Sequence, residues 1–228
     1  MSNGDRDRIL TSLELALGFP TRDPVLAAPE GRLSQPRFEA LLQPWDRFQE
    51  ELAGVSSRFH LAKDVDGARE IVRAVIEEHS VRSAMRWEHQ TLESLRLDEL
   101  LEDAGVEILS SRADSAFFER AARAGMGISA AHGVLVESGT IVVKASAGQA
   151  RSVSLLPPVH LAVVKHDQRM ESVLDLPPLL RGFRDHDGRL PSAFHLITGP
   201  SRTADIEITI VLGVHGPRVL HVLALDLS

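Results

Sequence analysis

The densest set of reactive side chains lies in one late stretch, "ITGPSRTADIEITIVLGVHGP", Ile197 to Pro217. Gly199, Pro200, Ser201, Arg202, Thr203, Asp205 and Glu207 interrupt two apolar runs there. Pro200 cannot continue a central ladder, and Ser201 or Thr203 can cap a helix whose apolar face is Ile206, Ile210 and Val211. The spacing therefore predicts a strand-to-helix turn. Free amides at such a helix start, two hydroxyls and the guanidinium of Arg202 would bind a carboxylate or phosphate. Asp205 and Glu207 do not help an anion bind. They suit the helix dipole, an ion pair with Arg202, or proton handling, which makes Asp205 a catalytic candidate. Capping with a local ion pair is the alternative to anion binding.

A second candidate is "VLVESGTIVV", where Glu137, Ser138, Gly139 and Thr140 separate two strand-like runs. Read alone, it is a hairpin turn with Gly139 supplying positive φ. Read as a site, Glu137 acts as acid, base or nucleophile, and Ser138, Thr140 and the Gly139 amide contact substrate. The third candidate, "RSVSLLPPVH", places Ser154 and His160 on either side of two prolines. A histidine at a strand start is usually hydrogen-bonded structure, and the same caution covers His215 in "GVHGP", although its glycine neighbours allow close approach of a ligand. "GMGIS" lacks the third glycine and the placement of a dinucleotide fingerprint, and there is no Walker A motif.

These groups need a scaffold, and the pattern from about Val65 onward supplies one. "GAREIVRAVIEEHS" is an amphipathic helix, "VRSAMRW" a strand, "SLRLDELLEDAG" a helix ended by Gly105, and "VEIL" a short strand. Ala116 to Ala124 reads as a helix, "GMGIS" as a strand, the run after Pro158 as another strand, and Glu171 to Gly182 as a helix. Such alternation points to a three-layer α/β/α fold with a mostly parallel sheet, whose ligands sit beyond the carboxyl ends of the strands. Trp87-Glu88 ends one strand at that rim. "RDHDGRLPS", Arg184 to Ser192, reads as a surface loop able to act as a lid. Residues 1–62, with four prolines in "PTRDPVLAAPEGRLSQP" and a short helix expected from Phe38 to Leu52, read as an N-terminal helical extension; residues 63–228 read as the domain.

Composition narrows the functions. A net charge of −7 disfavours nucleic acid as a partner. No apolar run approaches the roughly 20 residues of a membrane helix, and the start "MSNGDRDRIL" has no secretion-type apolar core, so a cytoplasmic chain is expected. With zero cysteines there is no thiol nucleophile, disulfide or thiolate-held cluster. The ten histidines fall into no HExxH-type spacing, and no protein-bound metal is expected.

Three blocks, "GMGISAAHGVLVESGTIVV", "RSVSLLPPVHLAVVKH" and "ITGPSRTADIEITIVLGVHGPRVLHVLALD", in that order, resemble the LUD domain of the lactate utilization protein C family. The resemblance runs from about Val65 to Asp226 and is strongest after Gly125. Members often carry "AETGT" where this chain has "VESGT", so Ser138 stands for a threonine and keeps a hydroxyl. The resemblance implies a fold similar to the NagB, RpiA and CoA-transferase superfamily. It also implies a part in oxidising L-lactate to pyruvate together with iron–sulfur partner proteins. On that footing the expected role is a non-redox component binding a small organic acid or other anion near Glu137, Thr140, Ser201, Arg202 and Thr203. The alternatives are a stand-alone acyl- or CoA-transferase-like enzyme using Glu137, and a regulatory or assembly scaffold.

Overall fold

The computed structural model describes residues 45–110, 114–184, 188–204 and 210–227. Its centre is a six-stranded sheet in the order β1 (Arg58–Ala62), β12 (Val219–Leu225), β7 (Val159–Lys165), β4 (Met126–Ala130), β2 (Ser83–Arg86), β3 (Glu107–Ile108). Every pairing in it is parallel. This is the expected α/β architecture. Six successive residues of β7, Val159 to Val164, are buried, as are Leu220 to Leu225 of β12, the pattern of strands covered on both faces.

Helices form where the sequence carries both an apolar stripe and a start signal. In the helix Val65–Glu78 the buried residues are Ala68, Val72, Val75 and Ile76, spaced for one helical face. The Asp64 carboxylate caps its first turn by accepting the Gly67 N–H at 2.7 Å. We label the helices α1 (Asp46–Gly54), α2 (Val65–Glu78), α3 (Gln90–Glu93), α4 (Leu97–Asp103), α5 (Phe117–Arg123), α6 (Ser152–Leu155) and α7 (Leu176–Gly182). The helix expected from Glu171 is split, with a 3-10 turn at Val173–Asp175 before α7.

A second sheet, not foreseen from the sequence, has the order β8 (Arg169–Met170), β5 (Gly133–Leu135), β6 (Thr140–Lys144), β9 (Phe194–Ile197). β5 and β6 are the two arms of the Glu-Ser-Gly-Thr hairpin, and β6 pairs antiparallel with β9.

Two expectations are corrected here. The stretch after Pro200 does not begin a helix: β10 (Arg202–Ala204) pairs antiparallel with β11 (Ile210–Leu212). Thr203, Ile206, Ile208, Thr209, Ile210 and Val211 crowd this stretch with β-branched side chains, which favour strand over helix. The boundary at 62/63 also falls inside the structured unit. β1 is a strand of the central sheet, and Phe48 and Leu52 of α1 are fully buried in the main core. The part of the predicted helix before residue 45 lies outside the described residues.

The glycine of "GMGIS" serves packing rather than a cofactor. A Cβ at Gly127 would stand 1.7 Å from the Val153 carbonyl oxygen, so α6 docks on β4 only because that position is bare. Next to it, on β7, His160 is fully buried, with Nε2 at 2.8 Å from the Ser129 hydroxyl. Burial pushes its pKa from 6.5 down to about 4.

The folded protein therefore binds this proton less readily than the unfolded chain. The stability His160 contributes is complete above pH 6.5 and is lost as pH falls from there through 4, a loss on the order of 3 kcal/mol. Urea midpoints measured from pH 7.5 to 4.5 should fall accordingly. His160→Gln, which still hydrogen-bonds Ser129 but does not titrate, should flatten the decline.

Candidate functional site

In an open parallel sheet, the crevice for a ligand forms where neighbouring strands send their connections in opposite directions. Here that place is between β2 and β4: from β2 the chain moves outward to the edge strand β3, and from β4 it moves the other way toward β7. Trp87 to His89 leave the carboxyl end of β2, and Ala131 and His132 that of β4. The rings of Trp87 and His89 lie 6.1 and 6.0 Å from His132.

Lys144, at the end of β6, closes this group. Its N–H donates to His132 Nδ1 at 3.3 Å, and its ammonium sits 5.1 Å above the Phe183 ring. Burial, then Lys144 and then His89, depress the His132 pKa to about 4, so the imidazole is neutral at neutral pH and leaves the positive charge to the lysine.

From Lys144 the chain runs through the loop 145–151, which is pinned over the end of β2. Trp87 Nε1–H donates to the Ala150 carbonyl at 2.8 Å, and the Glu88 N–H to that of Gly148 at 3.0 Å. The same loop lines a cavity of about 950 Å³, within the usual range for small-molecule sites. Phe117, Phe118 and Phe183 supply apolar wall, and Lys144, Arg151, Arg184 and Arg189 supply positive charge; no described carboxylate lines it. Lys144 and Arg151 form no ion pair among the described residues. In a chain of net charge −7, such a gathering of cations suits an anion with an apolar part. The loop expected as a lid contributes here through Arg184 and Arg189 to Ser192.

The residues singled out from the sequence sit elsewhere. Ser201 donates its N–H to Pro217, two residues before β12, and Arg218 donates to Pro158, just before β7. Arg202 reaches Ser56 Oγ at 3.1 Å, just before β1. The Gly-Pro-Ser-Arg-Thr block thus gathers at the amino ends of the parallel strands, not at the carboxyl rim. Thr203 lies in β10, His215 is exposed, and Ser154 is buried with its hydroxyl on the Arg151 carbonyl. Asp205 lies outside the described residues.

The structure does join Ser138, Gly139 and Thr140 to the start of that block. Thr140 Oγ1 is 2.8 Å from Ser138 Oγ and 2.7 Å from Thr198 Oγ1. The glycines are occupied by protein. A Cβ at Gly139 (φ 61°) would meet the Glu51 and Leu52 backbone at 2.9 Å, and one at Gly199 (φ 82°) the Val55 carbonyl oxygen at 2.7 Å. Glu137 accepts the Val173 N–H at 2.6 Å, and its own N–H goes to the Glu171 carbonyl. Its carboxylate holds a turn. Sequence reasoning missed Lys144, Arg151 and His132; the only available signal was that Lys144 ends a strand flanking the Glu-Ser-Gly-Thr turn.

Because Gly139 combines left-handed backbone with backbone contact, Gly139→Ala should lower unfolding free energy by about 2 kcal/mol or more. Urea denaturation would measure this. A substitution without effect on stability would return Gly139 to the list of ligand contacts.

The comparisons agree with this architecture. The sequence matches the LUD domain family over residues 45–225. It is 30% identical to lactate utilization protein C of Halalkalibacterium halodurans over 216 residues, covering 93% of this chain and 94% of that protein. Against lactate utilization protein C of Shouchella clausii it is 30% identical over 220 residues, with the same coverage. The crystal structure of a DUF162 family protein from Deinococcus radiodurans superposes with a TM-score of 0.56 at 18% identity, over 81% of this chain and 99% of that one, which shows a shared fold. The chain belongs to the LUD domain family.

Proposed function

We propose that the protein is a component of a lactate utilization system that binds a small organic acid or a related anion and works with iron–sulfur partner proteins. The observation that carries this reading is similarity along nearly the whole length of both chains to proteins named lactate utilization protein C. The chain contains no cysteine, so a thiolate-held cluster would have to reside in a partner. The cavity at the carboxyl end of the sheet supports the ligand class: Lys144 and Arg151 offer positive charge beside phenylalanine walls, and charge-assisted hydrogen bonds give an arginine its hold on a carboxylate. This moves the proposed anion site from Glu137, Thr140, Ser201, Arg202 and Thr203 to Lys144 and Arg151.

An acyl-transfer role for Glu137 has less behind it, since its carboxylate is engaged by the Val173 N–H and lies outside that cavity. No helix among the described residues is long and apolar enough to cross a membrane.

Two measurements test the proposal. Lactate-dependent dye reduction by the iron–sulfur partners, run anaerobically, should appear only when this chain is added; partners that turn over unaided would remove it from the reaction. Arg151→Ala should keep the fold, because the side chain is exposed, yet weaken binding of lactate or pyruvate by about tenfold, measured as ligand-induced thermal stabilisation.

A further inference from the structure

Three histidines far apart in sequence meet on one face of the central sheet. His60 lies in the middle of β1, His221 is the third residue of the neighbouring β12, and His79 follows the last residue of α2, Glu78. His60 Nε2 stands 2.9 Å from His221 Nδ1, and His221 Nε2 stands 2.9 Å from His79 Nε2. The Glu78 carboxylate is 3.7 Å from His79 Nε2. One ligand atom from each of Glu78, His79 and His221 falls within 4.8 Å of the others.

We propose that Glu78, His79 and His221 form a binding site for a borderline divalent cation, Zn²⁺ in the first instance. Two imidazole nitrogens and a carboxylate oxygen are ligands that Zn²⁺ accepts, and a set of three leaves a fourth position for water or an anion. The His60–His221 hydrogen bond is already that of a second ligand shell, while the His79–His221 one gives way to the ion, the proton on His79 Nε2 passing to its Nδ1 or to solvent. If His221 Nδ1–H donates to His60 Nε2, His221 Nε2 is left bare and aimed at His79, so His60 fixes the tautomer that a metal needs. Two nitrogens on a tetrahedral Zn²⁺ lie about 3.3 Å apart at Zn–N distances of ~2.0 to 2.1 Å, so the pair opens by only about 0.4 Å to admit the ion.

The site is also placed for a cation. It lies at the carboxyl end of a 14-residue helix, where the backbone dipole favours positive charge. His79 lines a second cavity, of about 430 Å³, at the amino ends of the strands, which gives the ion a path from solvent. Positive groups oppose binding: the half-exposed Arg58 guanidinium, which contacts the Glu78 carboxylate, and Arg82, Arg123 and Arg218 among the residues that line this cavity. A bound ion would use the other carboxylate oxygen or displace Arg58 into solvent.

The test is isothermal titration of Zn²⁺ into tag-free, chelator-treated protein, paired with the optical spectrum of the Co²⁺ form. We expect one equivalent to bind, with an intense tetrahedral Co²⁺ spectrum. His79→Ala should weaken binding by about 100-fold or more, Glu78→Gln by about tenfold or more, and Arg58→Gln should tighten it severalfold. His79 and Glu78 are at the surface edge of the site, so these variants should fold; His221 is buried and is left intact. A wild-type protein that binds no Zn²⁺ overturns the proposal and leaves a hydrogen-bonded row of imidazoles. Variants that bind as tightly as wild type overturn it as well, by placing the ion elsewhere.

Discussion

The main chain of Glu51 to Val55 rests directly on two glycines with left-handed backbone, Gly139 in the β5–β6 turn and Gly199 after β9. That approach locks the small mixed sheet to the segment leading into β1, and so to the parallel sheet. Any Cβ at either glycine would push α1 away and carry Phe48 and Leu52 out of the core. Because β6 and β9 are held at this end, their other ends are fixed as well. Lys144 pairs in register with Phe194 there, and Lys144 stands against His132 and Phe183. The position of the cation at the cavity thus depends on packing at the far end of its strand.

Much of the fold was legible in the sequence, because its signals are local. The stripe in α2 and the apolar run of β7 after Pro158 each specify their element without reference to the rest of the chain. Parallel pairing then follows from the alternation of strands and helices. Of the second sheet only the β5–β6 hairpin was legible, since β8 and β9 are short and pair with segments tens of residues away. The Ser201–Leu212 stretch misled for a specific reason. Ile206, Ile210 and Val211 have helical spacing, yet the density of β-branched residues around them outweighs that spacing, and a hairpin forms.

The site was hidden for a different reason. Glycine, proline, serine and arginine in one short block look like ligand chemistry, but the same residue types build tight junctions. In this protein Gly199, Ser201 and Arg202 are joined to Val55, Pro217 and Ser56. Which end of the sheet such a block occupies depends on the direction of the strand that follows, and β12 begins just after its contacts. The cationic cavity draws on α5, β6, the loop 145–151, α6, Phe183 with Arg184, and Arg189 to Ser192, segments with no shared motif. Only tertiary structure brings Lys144 and Arg151 together with Arg184 and Arg189.

Charge is distributed by the same topology. Strands of a parallel sheet point one way and their helices return the other, so helix carboxyl ends collect at the amino edge of the sheet. Glu78 and His79 reach that edge because they end α2, and His221 meets them because it stands near the beginning of β12. The lysine and arginines of the large cavity collect at the opposite edge, where strands end and loops are longest. The proposed anion site at one edge and the proposed cation site at the other are therefore separated by the length of the strands. Each rests on its own set of contacts: Lys144 and Arg151 share no hydrogen bond or ion pair with Glu78, His79 or His221. Loss of either site should leave the other in place, since what couples them is the rigid sheet alone.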